Sequence, residues 1–169
     1  PLLLVKKPGV TDPSLPLFRR YRACVDYRML NLNVKKDRFP LSDCDHLIDF
    51  VSSGKVISKI DIQSGFFNQA LEDDSMEYTA FSVGGMGHYE FTRSPMGICN
   101  SPSAFTRLVS YILREIKNVE FFVDDLCLVN QDYESHLKTL EEVLQRFCQY
   151  GLKIRVDKLQ LAVEEVEFL

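Results

Sequence analysis

Two adjacent carboxylates, Asp124 and Asp125, interrupt a pair of short apolar, β-prone runs, Val119-Glu120-Phe121-Phe122-Val123 before them and Leu126-Cys127-Leu128-Val129 after. That pattern is a strand, a tight turn and a returning strand, so the chain around it has to supply a sheet. Asp is a good turn former, and one reading is an ordinary hairpin with its bend at the two Asp residues. The other is that the hairpin lifts two carboxylates out of a sheet to hold hard divalent cations through oxygen ligands. The second reading requires another carboxylate from elsewhere in the chain. Asp61 supplies it, near the end of the predicted strand Val56-Ile57-Ser58-Lys59-Ile60-Asp61-Ile62, although Asp61 also reads as a cap for the turn Gln63-Ser64-Gly65.

With 169 residues, 46% of them hydrophobic, the chain has enough apolar side chains for one globular domain or two small lobes. No apolar run approaches the roughly 18 residues of a membrane span, and no signal peptide is visible. The five cysteines are scattered without a C-x-x-C pair, which predicts reduced, mostly buried thiols of an intracellular protein. His46, His88 and His136 are isolated from one another, and no zinc-type spacing is present. The net charge of −4 argues at first against a nucleic-acid partner, but residues 1–40 hold nine basic groups against three acidic ones. That segment is +6 and the remainder −10, so a basic arm sits beside an acidic body. Such a pair can meet phosphates with one part and metal ions with the other, or be no more than solvated surface.

In chain order, residues 2–5 read as a strand running into a Lys6-Lys7-Pro8-Gly9 turn, followed by a Pro-rich loop to Pro16 and a second strand over 21–28. Ser42 and Asp45 signal a helix start, with Leu47, Ile48 and Val51 on one face and a stop near Gly54. A hairpin is expected over 79–83 and 88–92 across a Gly-rich loop. Ser101-Pro102 opens a helix that buries Phe105, Leu108, Val109, Ile112 and Ile116. A second helix is predicted over 133–150, with Leu137, Leu140, Leu144 and Phe147 inward and Gly151 as its stop, before a return strand over 152–156. This order mixes helices with antiparallel strands without βαβ repetition, an α+β arrangement.

The stretches Cys24-Val25-Asp26-Tyr27-Arg28-Met29-Leu30-Asn31, Ser58-Lys59-Ile60-Asp61-Ile62-Gln63-Ser64-Gly65-Phe66, Ser94-Pro95-Met96-Gly97-Ile98-Cys99-Asn100-Ser101-Pro102 and Phe122-Val123-Asp124-Asp125 stand together in one chain. So do Lys36-Asp37-Arg38-Phe39-Pro40-Leu41, Gly87-His88-Tyr89-Glu90-Phe91, Gly151-Leu152-Lys153 and Val166-Glu167-Phe168-Leu169. In content, order and spacing the chain resembles the reverse transcriptase of Gypsy-type LTR retrotransposons and, more distantly, of retroviruses. The resemblance implies the fingers (about 1–35 and 69–100) and palm (about 36–68 and 101–169) of a right-hand polymerase, with an antiparallel palm sheet backed by helices. It also implies that thumb, connection and ribonuclease H portions lie beyond Leu169, so that the chain is a fragment.

What the resemblance implies for function is RNA- and DNA-directed DNA synthesis, with Asp61, Asp124 and Asp125 as catalytic carboxylates and two Mg²⁺ ions, or Mn²⁺ in their place, as cofactors. The backbone of Ile62 would complete one metal shell, and Ser64 and Gly65 would offer N–H groups to the triphosphate. Lys7 and Arg22 would grip that triphosphate, Lys158 would protonate pyrophosphate, Met96 would lie beside the incoming base and the Phe66 ring beneath its sugar. Asp26, Arg28 and Gly97 match template-side positions, with a fold-holding ion pair as the alternative for Asp26 and Arg28. Phe122 stands where relatives carry Tyr, and Met96 where they carry Gln or Phe. The implied partners are an RNA or DNA template–primer duplex, a deoxynucleoside triphosphate and the remaining Pol segments, with no membrane. The implied location is a cytoplasmic virus-like particle of an active element. Two other classes are carried beside the polymerase: a catalytically silent, domesticated nucleic-acid-binding domain, and an unrelated interaction domain.

Overall fold

A computed structural model describes residues 2–40 and 44–166. The chain divides into two compact units, Pro1–Lys36 with Gln69–Ser101, and Asp37–Asn68 with Pro102–Leu169. Its elements run β1 (Leu2–Lys6), α1 (Leu17–Arg20), β2 (Tyr21–Val25), α2 (Arg28–Asn33), α3 (Cys44–Ser52), β3 (Val56–Asp61), α4 (Asp73–Met76), β4 (Phe81–Val83) and β5 (Gly87–Tyr89). They continue with α5 (Ser101–Leu113), β6 (Val119–Phe122), β7 (Asp125–Asn130), α6 (Tyr133–Tyr150) and β8 (Gln160–Val163). No helix among the described residues is long and apolar enough to cross a membrane.

In the first unit, β1 and β2 form an antiparallel ribbon from Leu2↔Val25 to Lys6↔Tyr21, and β4 and β5 form the expected Gly-rich hairpin. The expected strand over 21–28 stops at Val25, because Asp26 Oδ1 accepts the Arg28 N–H at 3.1 Å and bends the chain into α2. The loop before β2 also holds an unanticipated turn of helix, α1, whose Arg19 and Arg20 N–H groups donate to the Pro16 carbonyl.

The second unit is built on a four-stranded antiparallel sheet in the order β6-β7-β3-β8. Strand β3 is central and buried along most of its length, as a run of Val, Ile and Ser without a proline allows. Ile60 and Ile62 from β3 and its end meet Leu126 and Leu128 of β7, with Phe105, Val109 and Ile112 of α5 and Val143 and Phe147 of α6 closing the core. Asp132 caps α6 by accepting the Ser135 N–H at 2.9 Å, and Gly151, at φ 71°, ends it. The predicted span of this helix is therefore correct, and of its predicted inward face Phe147 is buried and Leu140 packs against the core, but the buried stripe is turned away from Leu137. Leu137 is 61% exposed, while His136, Val143 and Phe147 are buried.

A polar pin causes that rotation. His136 Nε2 lies 2.6 Å from Ser58 Oγ of β3, and its Nδ1 lies 2.9 Å from Asn130 Oδ1 of β7. The Asn130 amide donates to Thr139 Oγ1 and the Ala162 N–H donates to Ser58 Oγ, which assigns the proton of a neutral imidazole to Nδ1 and leaves Nε2 accepting from Ser58. Burial lowers the His136 pKa from its ordinary value. A histidine that is neutral when folded contributes stability that is complete above the unfolded pKa near 6.5 and lost as pH falls toward the lower folded value. Wild-type stability is expected to fall in that window, at a rate of at most about 1.4 kcal/mol per pH unit. His136→Gln removes this contribution to the slope, and superimposable pH–stability slopes for the two proteins would refute it.

Two smaller departures have local causes. Ile48 of α3 is 55% exposed while Leu47 is buried, and the Ser42 cap lies outside the described residues. The expected return strand over 152–156 yields only the single bridge Ile62↔Ile154, because Lys158 N–H donates to the Arg155 carbonyl and winds 156–158 into a 3-10 turn. The chain rejoins the sheet as β8 instead.

Candidate active site at the end of the central strands

Asp61 closes β3 and Asp125 opens β7, and the two are direct partners in the antiparallel register. Asp124 sits in the turn that joins β6 to β7, and its carbonyl accepts the Ile62 N–H at 2.9 Å, so turn and strand end are tied together. Val123 in that turn has φ 54°, a left-handed conformation that costs a β-branched residue about 1–3 kcal/mol. The ladders on either side hold it there.

The three carboxylates have different surroundings. Asp61 Oδ2 accepts from Lys158 Nζ at 2.8 Å, with Arg155 Nε 3.9 Å from Oδ1, and Asp125 Oδ2 lies 3.1 Å from Lys59 Nζ. Asp124 Oδ1 is buried without a hydrogen-bond partner. The Asp124 pKa is raised, by burial first and then by the charges of Asp61 and Asp125, against the pull of Lys158. Lys59, Asp61, Asp125, Lys158 and Gln160 line a cavity of about 300 Å³. Among the described residues no three His, Cys, Asp or Glu side chains are grouped closely enough to hold a metal ion, and Asp61 and Asp125 are turned to their lysines instead. An orphaned carboxylate oxygen flanked by two more carboxylates is nonetheless a donor set suited to a hard divalent cation.

The turn after β3 is packed against this group. Ser64 adopts φ 55°, and a Cβ on Gly65 would run into Asp124 Oδ1 and stand 3.0 Å from the Phe105 ring. Phe66 meets Phe105 edge to face at 5.9 Å, so its ring has a fixed wall. Asn68 Nδ2 donates to the carbonyls of Gln63, Ser64 and Gly65 and pins the turn.

The remaining candidates belong to the first unit. Lys7 donates from Nζ to the Phe18 carbonyl at 3.0 Å, and exposed Arg22 lies opposite Val5 in the β1–β2 ribbon. Asp26 and Arg28 form a two-pronged ion pair with a shortest distance of 2.7 Å, and the guanidinium brings the Asp26 pKa down to about 2. Gly97 has φ 99° and its carbonyl accepts from Asn31 Nδ2 at 2.8 Å, while Met96 is 43% exposed. Sequence reasoning overlooked Lys59, Arg155 and Asn68. Lys59 was within reach, since residues two apart on a strand share a face and Asp61 follows by two.

A family profile described as "Reverse transcriptase (RNA-dependent DNA polymerase)" matches residues 5–169. The chain is 31% identical over 97% of its length to a retrovirus-related Pol polyprotein from transposon 297 of Drosophila melanogaster, and 30% identical over 88% to that of transposon gypsy from the same organism. It spans about 15% and 14% of those two proteins. The structure of a foamy viral protease-reverse transcriptase in complex with an RNA/DNA hybrid superposes with a TM-score of 0.84 at 29% identity, covering 100% of this chain and 21% of that one. The α+β fold of fingers and palm is shared with that enzyme. On the profile match, the relatives and the shared fold together, the chain belongs to the reverse transcriptase family.

Proposed function

We propose that the chain is the polymerase core of a Gypsy-type retrotransposon Pol protein, an RNA- and DNA-directed DNA polymerase that adds deoxynucleotides to a primer 3′-hydroxyl. The observation that carries this reading is the register pairing of Asp61 with Asp125 beside the buried, unpartnered Asp124 oxygen. The first compact unit corresponds to fingers and the second to palm, and the RNA/DNA hybrid named for the foamy viral relative supports a template–primer duplex as partner. Mg²⁺ ions, or Mn²⁺, held by Asp61, Asp124, Asp125 and the Ile62 carbonyl would activate the hydroxyl and neutralise charge on the leaving pyrophosphate.

The protein's own groups do the rest. Lys158, already within 2.8 Å of Asp61, holds a proton at Nζ for the pyrophosphate. The N–H groups of Ser64 and Gly65 present donors to the triphosphate, and Lys7 and Arg22 supply cationic ones, the Arg fork suiting two phosphate oxygens at once. Asp26 and Arg28 act through their ion pair, which fixes the bend after β2 and with it the template-side surface that Gly97 shares. Met96 offers an exposed thioether to the incoming base. The remaining Pol segments and a cytoplasmic virus-like particle complete the proposed setting.

Primer extension on an RNA template by the full-length polyprotein, with and without divalent cation, tests this reading. Incorporation that depends on the cation is the expected outcome; tight template–primer binding without incorporation would instead indicate a silent nucleic-acid-binding domain. Phe66 gives the assay a finer readout. Its ring is braced against Phe105, so it excludes a 2′-hydroxyl by bulk, and Phe66→Val should raise ribonucleotide use relative to deoxyribonucleotide on the order of tenfold or more. An unchanged ratio in an active variant would move sugar selection to another residue.

A further inference from the structure

Among the described residues, three cations are set against two of the three carboxylates: Lys158 and Arg155 at Asp61, and Lys59 at Asp125. They differ in their freedom to leave. The side chains of Lys158 and Arg155 are 52% and 41% exposed and can swing into water at little cost. Lys59 is 18% exposed, rooted in the middle of central β3 between Cys127 on one neighbouring strand and Gln160 on the other. An ammonium with so little access to water is best held by an anion beside it, and Asp125, itself 28% exposed, lies 3.1 Å away.

We propose that Lys59 is a positioning residue that competes with divalent cations for Asp125 and thereby sets how readily the carboxylate site loads. The inference rests on reading Asp61, Asp124 and Asp125 as a cation site. A divalent ion that takes Asp125 draws that carboxylate away from Lys59 and adds like charge beside it, so part of the ion's binding free energy is offset. Lys158 and Arg155 impose a smaller offset because they can rehydrate. Without metal, Lys59 does the opposite service, countering the mutual repulsion of the three carboxylates.

The test is Mn²⁺ binding to the chain alone, followed by electron paramagnetic resonance and by thermal unfolding, with no nucleotide or nucleic acid present. Lys59→Met is expected to tighten Mn²⁺ binding on the order of tenfold. Lys138→Met, which removes the same charge from an exposed pair with Glu134, is expected to change it less than about twofold, and Lys59→Arg to stay near wild type. Lys59→Met should also unfold at lower temperature than wild type without metal, the gap closing at saturating Mn²⁺. Equal Mn²⁺ affinities for Lys59→Met and Lys138→Met, or a melting gap indifferent to Mn²⁺, would overturn the proposal. Lys59→Gln, which keeps a donor for Asp125 but no charge, carries the same expectations if the Met variant does not fold. Mn²⁺ binding that Asp124→Asn leaves intact in every variant would overturn the reading of the carboxylate site itself, and the Lys59 proposal with it.

Discussion

Asp124→Asn is expected to lower nucleotide incorporation by on the order of a thousandfold or more and, in the same protein, to raise the melting temperature of the metal-free chain. The first effect follows from removing a charged oxygen donor from a site whose other parts are held in place by strand register and by the Ile62 N–H. The second follows from the surroundings of the side chain. The Asp124 carboxylate is half-buried, one of its oxygens has no donor, and Asp61 and Asp125 both oppose its charge. A neutral amide of the same shape escapes that repulsion. Opposite signs for activity and stability mark a functional site rather than a structural one, because a carboxylate that held the fold together would lose both. Single-turnover primer extension by the full-length protein and thermal unfolding of the chain check the two halves separately. Near-normal incorporation by a folded Asp124→Asn protein would sink the assignment.

Gly65→Ala is expected to be nearly as damaging although it touches no charge. A methyl group there collides with Asp124 Oδ1 and with two atoms of the Phe105 ring at 3.0 Å, in a core where Phe105 is fully buried. The ring cannot yield without disturbing Ile60, Ile112 and Phe147 in the same cluster, so Asp124 is displaced. The cost is expected to be about 1–3 kcal/mol of stability and at least about a hundredfold in incorporation, since misplacing a reacting group by an ångström is that expensive. Gly84→Ala is the matched control, having open space around its Cβ, and should fall within about 0.5 kcal/mol of wild type. Indistinguishable melting curves for the two variants would show that the turn has room to spare.

The two central strands and α6 were legible because their signals are local. Alternating and continuous apolar runs bounded by Asp, Ser and Gly define β3, β6 and β7, and Asp132 and Gly151 bracket α6. What could not be read from periodicity was the polar content of the interior. Counting leucines puts Leu137 on the inward face of α6 with Leu140 and Phe147, and the pairing of His136 with Ser58 and Asn130, 78 and 6 residues away, is what takes that inward place and leaves Leu137 outside. The end of β2 likewise depends on a single side-chain acceptor, Asp26, which serves equally well in a strand on composition alone. At the candidate site, the order and spacing of the Asp residues pointed to a shared location. Lys59, set against Asp125, did not announce itself, because a lysine within an apolar strand is ordinarily a solvated edge residue.

The buried imidazole also bears on how the chain avoids one particular mistake. Sliding β7 along β3 by two residues keeps every side chain on its own face and would set Asp125 directly opposite Lys59, where native pairing sets it opposite Asp61. Charge attraction alone does not penalise that decoy, since Lys59 already meets Asp125 on the diagonal. His136 distinguishes the two, because one ring grips Ser58 of β3 and Asn130 of β7 at the same time, and a slipped ladder carries one of them out of reach. The ring works as a dowel through two planks: it sits near the opposite end of the strands from the carboxylates, yet it fixes which Asp faces which, so alignment of the carboxylate end is checked at the far end of the same strands.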